Sequence, residues 1–204
     1  MTPASSPVVL LLAAGEGRRF GGAKQLAEIE GEPMCHRVAR LVLGLGFPVV
    51  AVTGAHAEAV EHVLRELPLH RLRHEGWSEG MGSSIAAGTR HVMANHSRAS
   101  GILICLSDQP LLNVEGLRDM VARHRVAPDK VLMARHNGIP GPPTLLPRDC
   151  FAELAMLTGP AGARSVIERD MSRVEFFDFP ENLDVDTPQD LDDVRQHLLN
   201  TPNR

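Results

Sequence analysis

The 204-residue sequence has no tyrosine, one tryptophan, three cysteines and only two lysines, and each shortage removes a class of chemistry. With six phenylalanines and one tryptophan as its only aromatics, it offers neither a stacking platform for single-stranded nucleic acid nor a tyrosine nucleophile. Cys35, Cys105 and Cys150 are odd in number and widely spaced, which excludes a disulfide framework and a CxxC metal pair; a reducing, cytoplasmic compartment is expected. The longest apolar run, Val8 to Ala14, is far too short to cross a bilayer, and no basic segment precedes it. Neither export nor membrane anchoring is expected. Net charge is -4, from 21 basic and 25 acidic residues, so there is no broad basic field for a nucleic-acid backbone or an anionic membrane. Any phosphate binding must be local. Lys24 and Lys130 are the only lysines among the 21 basic residues, the others being arginine.

A chain of this length can bury roughly 70% of its unfolded surface in one core, and a single domain spanning 1–204 is expected, with 1–6 and 200–204 as flexible ends. Pro7 to Ala13 is a continuous apolar run that stops at glycines, as a strand buried on both faces should. Similar short runs occupy Val49 to Thr53, Gly101 to Leu106 and Val131 to Ala134, and Arg173 to Phe179 reads as a late strand. Between them the spacing is helical: Met34, Val38, Leu41, Val42 and Leu45 after Pro33; Val60, Val63, Leu64 and Leu67; Leu117, Met120 and Val121. Thr187-Pro188 opens a last helix with threonine as its cap. The fold class predicted is α/β, a single-domain, Rossmann-like doubly wound and mostly parallel sheet with helices on both faces. The proline-rich stretch from Asn137 to Pro147 reads as a rigid excursion rather than a domain linker.

In such sheets ligands bind beyond the C-terminal strand ends, which directs attention to the loops after Ala13, after Leu106 and before Asp184. The first reads Leu12-Ala-Ala-Gly-Glu-Gly-Arg-Arg-Phe-Gly-Gly-Ala-Lys24. It is neither a dinucleotide GxGxxG, because Phe20 stands at the third glycine, nor a Walker A loop. It is a glycine-rich turn after a buried strand with Arg18, Arg19 and Lys24 inside seven residues, the means to bring backbone N–H groups and cations to a phosphate chain. Asp108 follows a buried strand and projects from the same sheet edge, where it can serve as a carboxylate for Mg2+ beside phosphate oxygens or cap the next helix or turn; Asp186, on a separate loop, can join it or merely precede a helix cap. Ser83 and Ser84 lie at a helix start suited to a ribose or base edge. A nucleophilic serine is disfavoured, since the stretch is not GxSxG and no histidine partner is identifiable. The ten histidines are scattered and read as surface residues.

The pattern LxAAGxGxRFGxxK resembles the signature loop of the MobA-like nucleotidyltransferase superfamily, which holds molybdenum cofactor guanylyl- and cytidylyltransferases. Gly31-Glu-Pro-Met34 resembles its GxPxL segment, Gly80 to Gly88 its GMSSSLxxG stretch, Leu106-Ser-Asp-Gln-Pro110 its LxDQP, Gly159 to Arg164 its GDxGAR and Asp184 to Pro188 its DIDTP. The resemblance implies that Ala13, Ala14, Gly15, Gly17, Arg19 and Lys24, with Gly82, Ser83, Ser84 and Asp108, bind a nucleoside triphosphate. It further implies that Asp108 and Asp186 hold Mg2+, with Asp184 as their companion, and that Arg19, Lys24 and Asp108 are catalytic. The reaction implied is transfer of a nucleoside monophosphate to a phosphorylated acceptor with release of pyrophosphate.

Leu12-Ala13-Ala14-Gly15 is similar to the LAAG of the cytidylyltransferases rather than the LAGG of the guanylyltransferases, which makes CTP the expected nucleotide and molybdopterin the expected acceptor. A molybdoenzyme or its chaperone is then a conceivable partner. Two departures, Pro160-Ala161 where GDxGAR has its acid and Gly141-Pro142-Pro143 where RGHPxLF has its histidine, fall on the acceptor side and leave a different phosphorylated acceptor open. A non-catalytic carrier of the molybdenum cofactor is a further alternative, opposed by the joint presence of Arg19, Lys24, Asp108 and Asp186.

A lysine at position 24 of an otherwise arginine-rich chain points to a need for a compact ammonium on a flexible stem rather than a planar fork. Lys24→Arg is therefore expected to lower turnover strongly although it keeps the charge; unchanged turnover would mean that charge alone matters.

Overall fold

The structure, a computed structural model, describes residues 5–180 and 183–200. Strand β1 (Val8–Ala13) is buried at every position. It pairs in parallel with β4 (Val49–Thr53) on one side and β6 (Gly101–Leu106) on the other, and helices cover both faces. A strand with no solvent side need not alternate polar and apolar residues. β5 (His70–Arg73) extends the sheet beyond β4. Past β6 lie β8 (Ile139–Pro147), β7 (Val131–His136) and β9 (Val174–Phe179), giving the order β5-β4-β1-β6-β8-β7-β9. Two-residue strands β2 (Glu28–Ile29) and β3 (Glu32–Pro33) form a separate hairpin.

Alternate residues of β1 feed two cores. Val9 and Leu11 pack with helices α1 (Met34–Leu43), α2 (Ala57–Val63) and α4 (Val114–Val126) through Val38, Val42, Val60, Leu117 and Met120. Val8, Leu10 and Leu12 face α3 (Met81–Asn95), α5 (Phe151–Leu154) and α6 (Arg164–Glu168), meeting Ile85, Val92, Leu154 and Ile167. The helix α7 (Pro188–Asn200) seats Leu191 and Val194 on Ile29 and Met34. This is the mostly parallel, doubly wound α/β sheet that the sequence predicts. Pro33 differs slightly from expectation: it precedes the first turn of α1, with extended ψ of 136°, and ends β3. Burial pushes the Cys35 and Cys105 thiols up to about 12, so both behave as small core residues. Of the ends expected to be flexible, residues 1–4 and 201–204 lie outside the described residues. The Ser5 hydroxyl donates to the Arg98 carbonyl (2.6 Å), the Ser6 carbonyl accepts the Ser100 N–H (3.0 Å), and Asn200 closes α7. Among the described residues no helix is long and apolar enough to cross a membrane.

The excursion expected over Asn137 to Pro147 is instead β8, inserted antiparallel between β6 and β7. The signal for it is Asn137-Gly138, both at positive φ (50° and 81°), which turns β7 back on itself as Asn-Gly does in two-residue hairpins. Prolines mask the strand in the sequence, and the ladder shows why they are tolerated. Thr144, Leu145 and Leu146 have partners on both sides or face the core, whereas Pro140, Gly141 and Ile139 pair with β7 alone, the ladder between β6 and β8 having ended at Ile104 and Thr144. A shift of register after Met133 leaves Pro142 and Pro143 outside the β7 ladder. A missing N–H costs little where no neighbour asks for one.

Leu145→Ala on the two-sided half, where the side chain is fully buried, should destabilise the protein by about 2–5 kcal/mol. Pro140→Ala on the one-sided half should change stability by less than about 1 kcal/mol. Urea unfolding of both variants checks this, and equal effects would remove the distinction between the two halves.

Candidate functional site

The C-terminal ends of β1 and β6 open into a cleft of about 540 Å³. Its floor is Leu12, Ala14 and Leu106; one wall is the loop from Gly15 to Lys24 and the other Trp77 to Ser84. In the first loop the Gly17 carbonyl accepts the N–H groups of Phe20, Gly21 and Gly22 (3.0 to 3.3 Å), folding the loop into a compact turn. Gly17 has a φ of +71°, and a Cβ there would lie 2.0 Å from the Gly22 carbonyl oxygen, so this position admits no other residue. The N–H groups of Glu16, Gly17, Arg18 and Arg19 have no acceptor among the described residues. Consecutive free N–H groups at the edge of a cleft are the makings of an anion nest.

Lys24 joins this loop to the two aspartate loops. Its Nζ donates to Asp108 Oδ2 and to Asp186 Oδ1, each at 2.7 Å, and only 11% of the side chain is exposed. Arg19 Nη2 reaches Asp186 Oδ2 at 2.8 Å from a far more exposed position. Burial works to lower the pKa of Lys24, but the Asp108 carboxylate and then Asp186 outweigh it and hold the ammonium above its ordinary 10.5. The Val185 N–H donates to the Asp108 carbonyl (2.9 Å), so the two acid loops are fixed to each other through the backbone as well. Asp184 lies at the same edge. Burial by the cleft walls raises its pKa above 3.8, and the Asp108 and Asp186 charges add to the rise, against the Gln109 Nε2 hydrogen bond at 3.0 Å.

Asp186 is held in place by a cap. Asp190 Oδ2 accepts the N–H groups of Asp186 (2.9 Å) and Thr187 (2.7 Å), while the Thr187 hydroxyl accepts the Asp190 N–H at 3.3 Å. This reciprocal arrangement at the start of α7 is a capping box. Thr187 is the expected cap, and the matching role of Asp190, three residues on, is carried by the Thr-Pro-Gln-Asp spacing itself.

Of the predicted nucleotide-binding residues, Ala14, Gly15, Gly17, Arg19, Lys24, Ser84 and Asp108 line the cleft, as do Asp184 and Asp186. Ala13, Gly82 and Ser83 do not. Ala13 points into the opposite core, with α1. Gly82 is a packing residue: its N–H donates to the Gly159 carbonyl (2.8 Å), and a Cβ would meet the Thr158 carbonyl oxygen at 2.5 Å. Ser83 is buried, and its hydroxyl donates back to the Gly80 carbonyl (2.8 Å). A histidine does stand beside it, contrary to expectation, with His74 Nε2 3.0 Å from Ser83 Oγ. The pair ties the loop after β5 to α3 and lies away from the cleft, so it makes no nucleophile.

Two cleft residues, Trp77 and Gln25, and one that holds a cleft residue from behind, Gln109, escaped sequence reasoning. Trp77, whose Cβ lies where a side chain on Gly54 would stand, is the chain's one tryptophan and forms part of the wall. Gln25 is fully buried, donating to the Gly15 carbonyl (2.6 Å) with its own Oε1 unpartnered. Gln109 connects Asp184 to the Pro142 carbonyl. Glutamines carry no distinctive spacing, and only the neighbouring Lys24 and Asp108 could have drawn attention to these two.

A second cavity, about 480 Å³, adjoins the first through Met81 and Leu106. Ile85, Ile104, Met133 and Phe176 make it apolar; Thr144 supplies a hydroxyl, and Arg164 at the rim is paired with Glu168 at 2.7 Å. Of the two segments that depart from the family pattern, Gly141, Pro142 and Ala161 line it, and Gly162 to Arg164 continue the wall; Pro160 and Pro143 do not.

The carboxylates fit a divalent metal of the kind that keeps water and phosphate oxygens in its shell. Among the described residues no set of three or more His, Cys, Asp or Glu forms an all-protein cage, which Mg2+ does not require. Asp108 Oδ1 is buried without a partner, an acceptor left over after Lys24 has taken Oδ2.

A glycine loop after the first strand, with carboxylates from two further loops at the same edge of a doubly wound sheet, is the frame of a nucleotidyltransferase. The MobA-like NTP transferase domain matches residues 9–174, and the chain belongs to that family. Nicotine blue oxidoreductase of Paenarthrobacter nicotinovorans is 33% identical over 197 residues, 92% of each chain. Purine catabolism protein PucB of Bacillus subtilis is 30% identical over 205 residues, covering 93% of this chain and 96% of that one. Molybdenum cofactor cytidylyltransferase of Escherichia coli is 23% identical over 183 residues, 89% of this chain and 91% of the other. Among solved structures, the manganese complex of Rv0371C from Mycobacterium tuberculosis superposes with a TM-score of 0.78 at 25% identity, covering 95% of this chain and 99% of that one.

Although burial pushes the Asp190 carboxyl up, the N–H groups of Asp186 and Thr187 hold it below its ordinary 3.8. A lowered acid stabilises the fold above its unfolded pKa and ceases to as pH falls through the folded value. Asp190→Ala should cost about 0.5–2 kcal/mol at pH 7, and the deficit should shrink below pH 3.8. Chemical denaturation at neutral and acid pH reads this; a deficit independent of pH would discard the charged cap.

Proposed function

We propose that the protein transfers CMP from CTP to the terminal phosphate of a small acceptor, molybdopterin being the first candidate, with release of pyrophosphate and dependence on Mg2+. The observation that carries the transfer is the convergence of Lys24, Arg19, Asp108 and Asp186 at the mouth of the glycine loop. An acceptor phosphate, with a second pKa of about 6, is already ionised at neutral pH. It needs alignment and charge neutralisation rather than a strong base, and among the described residues no histidine or cysteine lines the cleft.

In this reading the free N–H groups of residues 16–19 receive the phosphate chain, and Lys24 and Arg19 exchange their carboxylate partners for its oxygens. An acceptor phosphate oxygen attacks the α-phosphorus, the bond from that phosphorus to the oxygen leading to the β-phosphate breaks, and pyrophosphate departs with the electron pair. Asp108 and Asp186 would hold Mg2+, with Asp184 beside them; the bound metal neutralises phosphate charge and fixes the chain's orientation. Ala14 at the cleft floor supports CTP, since its methyl group narrows the space beside the base and penalises a purine more than a pyrimidine.

The second cavity supports an acceptor bound alongside, its phosphate directed toward Asp108. Its apolar walls, with Thr144 as the one hydroxyl, also favour a second reading in which the acceptor is a phosphorylated molecule other than molybdopterin. The names of two relatives that match over most of their length, an oxidoreductase and a purine catabolism protein, do not refer to molybdopterin.

The deciding assay is pyrophosphate release with CTP, GTP, ATP and UTP against a panel of acceptors that includes molybdopterin. CTP should be preferred, and Asp108→Ala should lower the rate by at least about a hundredfold with unfolding unchanged. A clear preference for GTP would refute the nucleotide, release only with other acceptors would select the second reading, and an active, metal-dependent Asp108→Ala would refute the site.

A further inference from the structure

The carboxylate pair that would take a divalent metal already holds a cation. Lys24 Nζ sits 2.7 Å from an oxygen of Asp108 and 2.7 Å from an oxygen of Asp186, and Arg19 takes the other oxygen of Asp186 at 2.8 Å. A metal bound to the same two oxygens would lie beside this ammonium, cation against cation. In the resting arrangement Lys24 has little contact with water, the residue being only 9% exposed. A buried charge leaves one partner only for another. The alternative partner is at hand in principle: the loop that carries Lys24 also presents the free N–H groups of residues 16–19, where a phosphate chain would bring several negative charges within reach of the same side chain.

Asp108, Asp184 and Asp186 face Lys24 and Arg19, which leaves one formal negative charge in the resting cluster. A divalent ion arriving alone would displace an ammonium that has no other anionic partner in the resting cleft. Arriving with a triphosphate, it would replace both side chains on the carboxylates while they followed the phosphates.

We propose that Lys24 is the resident counter-cation of the Asp108–Asp186 pair and makes divalent-metal binding there conditional on a polyphosphate chain in the cleft. The inference rests on the reading that the cleft takes a nucleoside triphosphate together with a metal. It adds that the two ligands are strongly coupled and that one side chain sets the coupling. By linkage, metal must then raise nucleotide affinity by the same factor that nucleotide raises metal affinity.

The test uses Mn2+ and α,β-methylene-CTP, which cannot react. Mn2+ binding to the protein is followed by electron paramagnetic resonance, and analogue binding by the fluorescence of Trp77, the chain's one tryptophan, which lines the cleft. Wild-type protein alone should bind Mn2+ at least tenfold more weakly than with the analogue, after correction for Mn2+ held by free analogue, and Mn2+ should tighten the analogue by a matching factor. Lys24→Gln, with the ammonium replaced by a neutral amide, should bind Mn2+ alone at least tenfold more tightly than wild type and lose most of the coupling. Lys24→Arg, which keeps a cation, should exclude Mn2+ as wild type does and keeps the idea testable should the glutamine variant not fold. If wild type binds Mn2+ equally well with and without the analogue, or the glutamine variant excludes it as strongly as wild type, the role of Lys24 is overturned while the site stands. If no form binds Mn2+ even with the analogue, both this inference and the metal-dependent transfer fall together.

Discussion

One ammonium group between two carboxylates organises the functional half of this protein. Lys24 contacts partners 84 and 162 positions away in the sequence, and in doing so draws together the loop after β1, the loop after β6 and the segment that leads into α7. None of the three is rigid by composition alone. Each is steadied by a local device: the Gly17 carbonyl with its three N–H donors, the backbone bond between Val185 and Asp108, and the cap formed by Thr187 and Asp190. The lysine then joins the glycine loop to the two acid loops, already tied to each other, in one charged centre. A guanidinium in its place would have to fit a planar fork into a space now filled by a single nitrogen, and the cleft's exposed cationic positions, Arg18 and Arg19, are indeed the ones left to arginine.

The scaffold below this centre depends on close approach. α3 lies so near β1 that a Cβ at Gly88 would fall 2.2 Å from Leu10 Cδ1, and its first turn is pressed against the carbonyls of Thr158 and Gly159. The small residues of the Gly80 to Gly88 stretch thus shape the cleft from beneath. They bring Met81 and Ser84 to its surface while Gly82 and Ser83 serve the contact behind. The same helix separates the polar cleft from its apolar neighbour, and Met81 borders both. The chemistry of the two chambers therefore differs although they share a wall.

Much of this was legible in the sequence for a simple reason: the central strands are uniformly apolar, the helices between them keep their spacing, and the charged loop follows directly on a strand. Those are local signals. Three features failed to show because they depend on distant partners. β8 is obscured by its own prolines, although Asn137-Gly138 announces the turn; what makes a proline-bearing strand acceptable is that its ladder with β6 ends at Thr144, which no local window reveals. Ser83 and Gly82 were read as ligand contacts because the start of a helix is where such contacts occur, but the loop at Thr158 to Gly159 covers that side. His74 reached Ser83 only through the packing of the loop after β5, a closure invisible to spacing.

The proline-bearing half of β8 has a further meaning. Where the ladder with β6 ends, β8 would ordinarily present a row of N–H and carbonyl groups to the gap, an invitation to any extended segment, including one from another copy of the chain. Pro140, Pro142 and Pro143 have no N–H to give. The sheet is thereby split open in its middle without becoming adhesive: neither β6 nor a stranger can zip the gap closed. Because that gap is bordered by Ile104, Leu106, Pro140 and Pro142, the apolar chamber stays vacant for a small molecule instead of being consumed by the sheet's own tendency to extend itself.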